Sequence, residues 1–280
     1  MSLHDELRVP QGPVDLSAYP TKSTPDFKGG RRDAEKALAA LGPELLELQT
    51  KLFANRDTDR ARQVLLVLQG MDTSGKGGVL KHTVGLVDPV GVHIVSFKAP
   101  THEELAHDFL WRIKRAVPAT GYLGVFDRSH YEDVLIGRVR ELAPPAEIDR
   151  RYDAINDFER RLTEAGTIVL KCMLHISPAE QKDRLQARLD DPTKYWKYNP
   201  GDVDERQLWA DYATAYEIAI ERTNTDVAPW YVVPSDKKWY RNLAVARLLD
   251  ETLADLGLDW PEPAFDLEAE KRRLAQDTIS

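Results

Sequence analysis

The chain has 280 residues, 42% of them hydrophobic and 30% charged, a balance that fits a folded protein and argues against disorder over most of its length. No run approaches the roughly 20 apolar residues of a membrane-spanning helix, and the segment from Met1 to Val14 lacks the apolar core of a secretory signal, so a cytoplasmic protein without a membrane partner is expected. A formal charge of −8 argues against a nucleic-acid partner, and the single cysteine, Cys172, excludes an intramolecular disulfide and a cysteine-rich zinc site.

Residues 1–33 are rich in Pro, Gly and charge without periodicity, and read as an arm lying on the surface or on a partner subunit, with no catalytic role. Residues 33–55 carry approximately one helical apolar face (Ala37, Leu38, Leu41, Leu45, Leu46, Leu48, Leu52), with a kink or break expected at Gly42-Pro43. Strands are expected at 63–69, 92–97, 122–126, 167–175 and 230–233, each short and apolar on both faces, as in a parallel sheet covered by helices. Thr101 with Glu104, Ser177 with Glu180, and Asp202 with Glu205 resemble capping boxes at helix starts between these strands. The pattern predicts a doubly wound α/β domain over 34–258: a five-stranded parallel sheet in a three-layer α/β/α arrangement. Residues 259–280, Pro-containing and then charged, read as a peripheral helical tail.

The strand at 63–69 runs directly into Gly70-Met71-Asp72-Thr73-Ser74-Gly75-Lys76-Gly77-Gly78, which contains glycine, four residues, glycine and lysine before a helical stretch. Such a loop binds phosphate because glycines let the backbone curl until several N–H groups face one anion, and Lys76 adds a mobile cation. The hydroxyl residue that usually follows the lysine and holds magnesium is replaced by Gly77, so Asp72 becomes the candidate metal ligand or orienter of the phosphoryl acceptor. The strand at 122–126 ends in Asp127-Arg128-Ser129-His130-Tyr131, placing a second acid, Asp127, beside the loop as a metal or phosphoryl contact. Arg128 and Arg138 are candidate stabilisers of charge on the transferred group. His82 and His130 are not assigned a role, since phosphate nucleophiles are already ionised.

Between the fourth strand and the next long helix, Arg184, Arg188, Lys194 and Lys197 form a basic patch around Trp196, at a position where P-loop kinases close a mobile lid; the lid is expected over about 184–204. Trp196, Trp230 and Tyr198 could stack a base, although packing is the commoner use of an aromatic.

The loop at 70–78, the Asp127-Arg128-Ser129-His130-Tyr131 segment, the Asp191-Pro192…Lys194…Trp196-Lys197 lid, and Ala228-Pro229-Trp230-Tyr231-Val232-Val233-Pro234…Asp236-Lys237-Lys238 together resemble the polyphosphate kinase 2 family. The resemblance implies a thymidylate-kinase-like P-loop fold, a magnesium or manganese requirement, polyphosphate contacts at Arg128, Arg138, Arg184, Arg188, Lys194 and Lys197, and reversible transfer of a terminal phosphoryl between inorganic polyphosphate and a nucleoside mono- or diphosphate. It also implies a homodimer or homotetramer. The segment His130-Tyr131-Glu132-Asp133-Val134-Leu135 is most similar to the branch accepting both nucleoside mono- and diphosphates. The competing readings are an ATP-dependent nucleoside or nucleotide kinase and a non-catalytic nucleotide or polyphosphate sensor.

Overall fold

In a computed structural model, residues 2–277 are described. The sequence QVLLVLQ supplies β1 (Gln63–Gln69), buried at every position, as a strand covered on both faces must be. Around it run β2 (Val92–Ser96), β3 (Leu123–Asp127), β4 (Thr167–His175) and β5 (Trp230–Pro234), giving one parallel sheet in the order β2-β3-β1-β4-β5. Two apolar cores lie on its opposite faces. One gathers Leu65, Val67, Phe126, Tyr152, Ile155 and Ile220; the other gathers Leu66, Leu68, Leu45, Leu52, Val245 and Leu249. The alternation of Leu65 and Leu66 between them follows from the two-residue repeat of a strand.

Several expectations need correction. The strand at 92–97 is not covered on both faces: β2 is the sheet edge, and its Ile94 is 48% exposed. The break that Gly42-Pro43 could mark is absent, since the helix Arg31–Ala54 continues through both residues. An interior proline costs roughly 3 kcal/mol, and the stripe Ala34, Leu45, Gln49 and Leu52 offsets this by burial along the helix Lys238–Ala254. Thr101 and Glu104 make a reciprocal box, but Ser177 caps Glu180 N–H alone, because the Ser177 N–H donates to Asp236 and the Glu180 carboxylate binds Arg184. Asp202 does not precede its helix; it sits inside Gly201–Gln207, where its carboxylate accepts from Asn199 N–H and from Arg188.

The arm lies on its own domain. It opens with a capped helix, Leu3–Leu7, and buries Leu3, Leu7, Val9 and Leu16. Val9 N–H donates to Trp230 O, Arg8 bridges Tyr231, and Glu251 accepts the N–H groups of Leu3 and His4, so the strap covers the β5 margin and the helix behind it. At the other end the helix Leu267–Ala275 buries none of its residues.

A charged group stands in the middle of the sheet. Lys171, fully buried on β4, donates to Glu159 Oε2 (2.7 Å), Thr223 O (2.8 Å) and Tyr131 Oη (3.0 Å). Glu159 also accepts from the Tyr131 hydroxyl at 2.8 Å and lies 3.2 Å from His130 Nε2. Burial works to raise the Glu159 pKa, but Lys171 and His130 outweigh it and hold the carboxyl below its ordinary value. A group depressed in this way contributes stability at neutral pH that is lost as pH falls through the carboxylate range. Breaking a buried pair from one side strands the other charge, so Lys171→Met should cost about 3–5 kcal/mol in urea denaturation at pH 7. The double variant Lys171→Met/Glu159→Leu should recover most of that loss and flatten the acid dependence of stability.

Candidate active site

β1 delivers the chain to Gly70 at the carboxyl end of the sheet, where a parallel fold opens its crevice. Gly70 N–H donates to the buried Tyr216 hydroxyl (3.0 Å), Ser74 N–H closes a turn onto Met71 O, and the helix Lys76–His82 begins at Gly75. Among the described residues, the N–H groups of Thr73, Gly75, Lys76 and Gly77 donate to no protein acceptor. These are the donors a phosphate needs. Lys76 folds back so that Nζ donates to Gly70 O at 2.8 Å; burial pulls its pKa down, while Asp72, Asp127 and Glu132 work to hold it charged.

β3 places the second acid. Leu68 and Asp127 face one another in register, two residues before Gly70, and Arg128 N–H donates to Leu68 O. Asp127 Oδ2 accepts from Ser96 Oγ at 3.3 Å, and Gln69 Nε2 donates to Ser129 Oγ at 3.0 Å, tying the turn to both neighbouring strands. Arg128 takes a left-handed backbone (φ 64°) and its guanidinium reaches across to Asp72 Oδ1 at 3.1 Å. Thr73 is also left-handed (φ 65°), so strain sits on both facing turns, as it often does where a reacting group must be aimed.

Between these turns and the lid opens a cleft of about 530 Å³, within the size range of small-molecule sites. Gly70, Met71, Asp72 and Arg128 form its floor, and Arg188, Lys197 and Asn199 its lid side. Arg188 is anchored by donating to Lys197 O (2.8 Å) and Asp202 Oδ2 (3.3 Å), which fastens the segment Pro192–Lys197 over the opening.

Arg184 is not part of that lining. It is 7% exposed and lies behind the loop, donating to Thr73 O, Ser74 O, Ser235 O and Asp236 O as well as to Glu180. Arg138 does not line the cleft either, because the short helix Ile136–Val139 turns it toward Asp149 (3.9 Å). Lys194 is half exposed and paired with Asp191. Trp230 is core, hydrogen-bonded to Thr223, while Trp196 is 78% exposed with the Lys197 ammonium over its ring.

Sequence reasoning missed Glu132, Gln181, Trp209, Tyr212 and Tyr216, all of which line the cleft. Trp209, Tyr212 and Tyr216 repeat at helical spacing and read as core. Glu132 had one signal, its place five residues after Asp127. Burial raises its pKa, against the pull of Arg128 and Lys76.

A phosphate cradle with a lysine, a facing acid–arginine strand end and a basic lid define a P-loop phosphotransferase. Comparison narrows this class. Residues 29–257 match the family model of polyphosphate kinase 2, and the chain belongs to that family. It is 53% identical to the crystal structure of polyphosphate kinase 2 from Arthrobacter aurescens TC1, with a TM-score of 0.96 covering 99% of this chain and 98% of that one. It is 46% identical to an AMP/ADP-polyphosphate phosphotransferase of Meiothermus ruber, over 91% of this chain and 94% of the relative. An ADP-polyphosphate phosphotransferase of Rhodopseudomonas palustris is 39% identical over 98% of both.

The loop glycines are not equivalent. A Cβ on Gly78 would collide with the Arg241 guanidinium, whereas nothing lies within 4 Å of one on Gly77. Gly77→Ala should therefore keep or raise the melting temperature, since alanine is favoured over glycine in a helix by up to about 1 kcal/mol. Gly78→Ala should lower it; thermal denaturation of the two variants compares them directly.

Proposed function

We propose that this chain transfers the terminal phosphoryl of inorganic polyphosphate to AMP or ADP, reversibly, as a cytoplasmic homo-oligomer. The observation that carries the reading is the set of unpartnered loop amides together with the Asp72–Arg128 ion pair that joins this loop to the Asp127-Arg128 strand end. The named relatives support the substrate pair.

In this reading the polyphosphate terminus rests on the amides of the 70–78 loop, with Lys76 against its oxygens. The nucleotide occupies the cleft under Arg188 and Lys197, its phosphate oxygen directed at the terminal phosphorus. In-line attack forms the new P–O bond as the bond to the next phosphate breaks, and the departing oxygen keeps the electron pair. No proton has to move, which leaves positioning and charge as the work of the protein. Arg128 supplies planar, fixed positive charge to oxygens of the transferred group. Its pairing with Asp72 holds the guanidinium over the loop until substrate competes for it.

Among the described residues no group of three or more His, Cys, Asp or Glu side chains could hold a metal by itself. Magnesium or manganese nonetheless fits, since magnesium commonly takes one or two carboxylates and completes its shell with water and substrate phosphate. Asp72 and Asp127 are the donors, and the ion when bound would add positive charge at the bridging oxygens.

Asp127→Asn and Lys76→Ala should each lower kcat/KM at least about 100-fold, the scale of a lost charge stabiliser, with circular dichroism unchanged. Near-normal turnover in either variant removes that residue from the chemistry. Offered AMP or ADP separately with polyphosphate and magnesium but no ATP, the protein should make the next higher nucleotide. Failure to do so, with transfer appearing only on adding ATP, would select an ordinary nucleotide kinase; binding of both substrates without product would select a sensor.

A further inference from the structure

The back of the phosphate loop carries more positive charge than the protein balances. Arg241, 3% exposed, donates through Nη1 to Ser74 O (3.1 Å), the same carbonyl that Arg184 reaches from the other side (3.0 Å). Its remaining contacts are neutral: Nε and Nη2 both go to Asn242 Oδ1. Arg184 is bound to Glu180, but among the described residues Arg241 has no carboxylate partner. Lys238 joins the cluster, pulled below its ordinary pKa first by burial and then by Arg184. Burial and the Arg184 charge push Arg241 down to about 9, and Glu180 offsets them only in part. The loop is shaped around this group, since a Cβ on Gly75 or Gly78 would run into its guanidinium.

Leaving a buried cation unpaired is costly unless an anion completes it. The loop itself can bring that anion, because its amides at Thr73, Gly75, Lys76 and Gly77 donate to no protein acceptor among the described residues. Resting on the reading of the loop as the polyphosphate site, we propose that Arg241 is a positioning residue whose counter-charge is the phosphate bound on the other face of the loop. Its charge acts through the thin peptide layer at Ser74-Gly75, and its hydrogen bond turns the Ser74 carbonyl away from the anion. Arg184 shares the second task but has Glu180 as its ion-pair partner, whereas Arg241 has none among the described residues, so the charge effect falls on Arg241.

The test is calorimetric binding of tripolyphosphate with magnesium to the full chain. Arg241→Gln keeps a donor for Ser74 O and removes the charge; Arg241→Lys keeps the charge; Arg241→Met serves if the glutamine variant does not fold. The neutral variant should bind about tenfold more weakly and the lysine variant nearly as well as wild type, the scale expected for one partly screened charge. The ratio should persist at about 0.5 M salt, where a surface lysine would lose its influence, because a buried charge is poorly screened. A melting temperature that falls while tripolyphosphate affinity stays within about twofold of wild type would make Arg241 merely structural and overturn the proposal, as would a lysine variant no better than the neutral one. Wild-type protein that binds no tripolyphosphate would instead refute the functional reading on which this rests.

Discussion

The arrangement of the site depends on where the carbonyls of Thr73 and Ser74 point. A loop that offers its amides to an anion must turn its carbonyls elsewhere, and a buried carbonyl needs a donor. Arg184 meets both carbonyls with one guanidinium and uses its other nitrogen for the carbonyls of Ser235 and Asp236. One side chain thereby locks the loop to the segment that leaves β5. Lysine could not do this, because a point charge lacks the fork that spans four acceptors.

That bracket is held from outside the kinase core. The Asp236 carboxylate accepts from Ser177 N–H and Oγ and from Thr21 Oγ1, and Asp236 N–H donates back to Thr21 O. A segment with little periodicity thus reaches the rear of the phosphate loop in two steps, Thr21 to Asp236 and Asp236 to Arg184. The buried Lys171–Glu159 pair does comparable work for the facing turn, since His130 and Tyr131 are fastened to Glu159 and follow Arg128 by two and three residues. Both halves of the cleft are held by polar groups buried behind them, which suits a reaction that depends on placement.

Much of this was legible from residue order. The apolar run 63–69 followed by the glycine-lysine loop announces a strand, a cradle and a helix, and Asp127-Arg128 after a second apolar run announces the facing turn; local spacing governs both. What could not be read depends on docking between distant segments. Arg184 and Arg188 are one helical turn apart and look like a single basic face, yet the helix Pro178–Leu189 seats against Ser235-Asp236, so Arg184 passes under the loop while Arg188 reaches the lid. Arg241 reads as an ordinary charge near a helix start, and only the sheet order brings it behind Gly75. The edge position of β2 was likewise invisible, because Val-His-Ile-Val gives no sign of which strand lacks a neighbour.

The strap has a consequence for how the protein comes to life on the ribosome. Thr21 is translated 215 residues before its partner Asp236, and Leu3 waits 248 residues for Glu251. Closing such distant contacts comes late in folding. A nascent chain can therefore display the whole glycine-lysine loop while its rear support is still unmade. The rear of the loop is therefore completed only when the strand Trp230–Pro234 and the helix Lys238–Ala254 have been made.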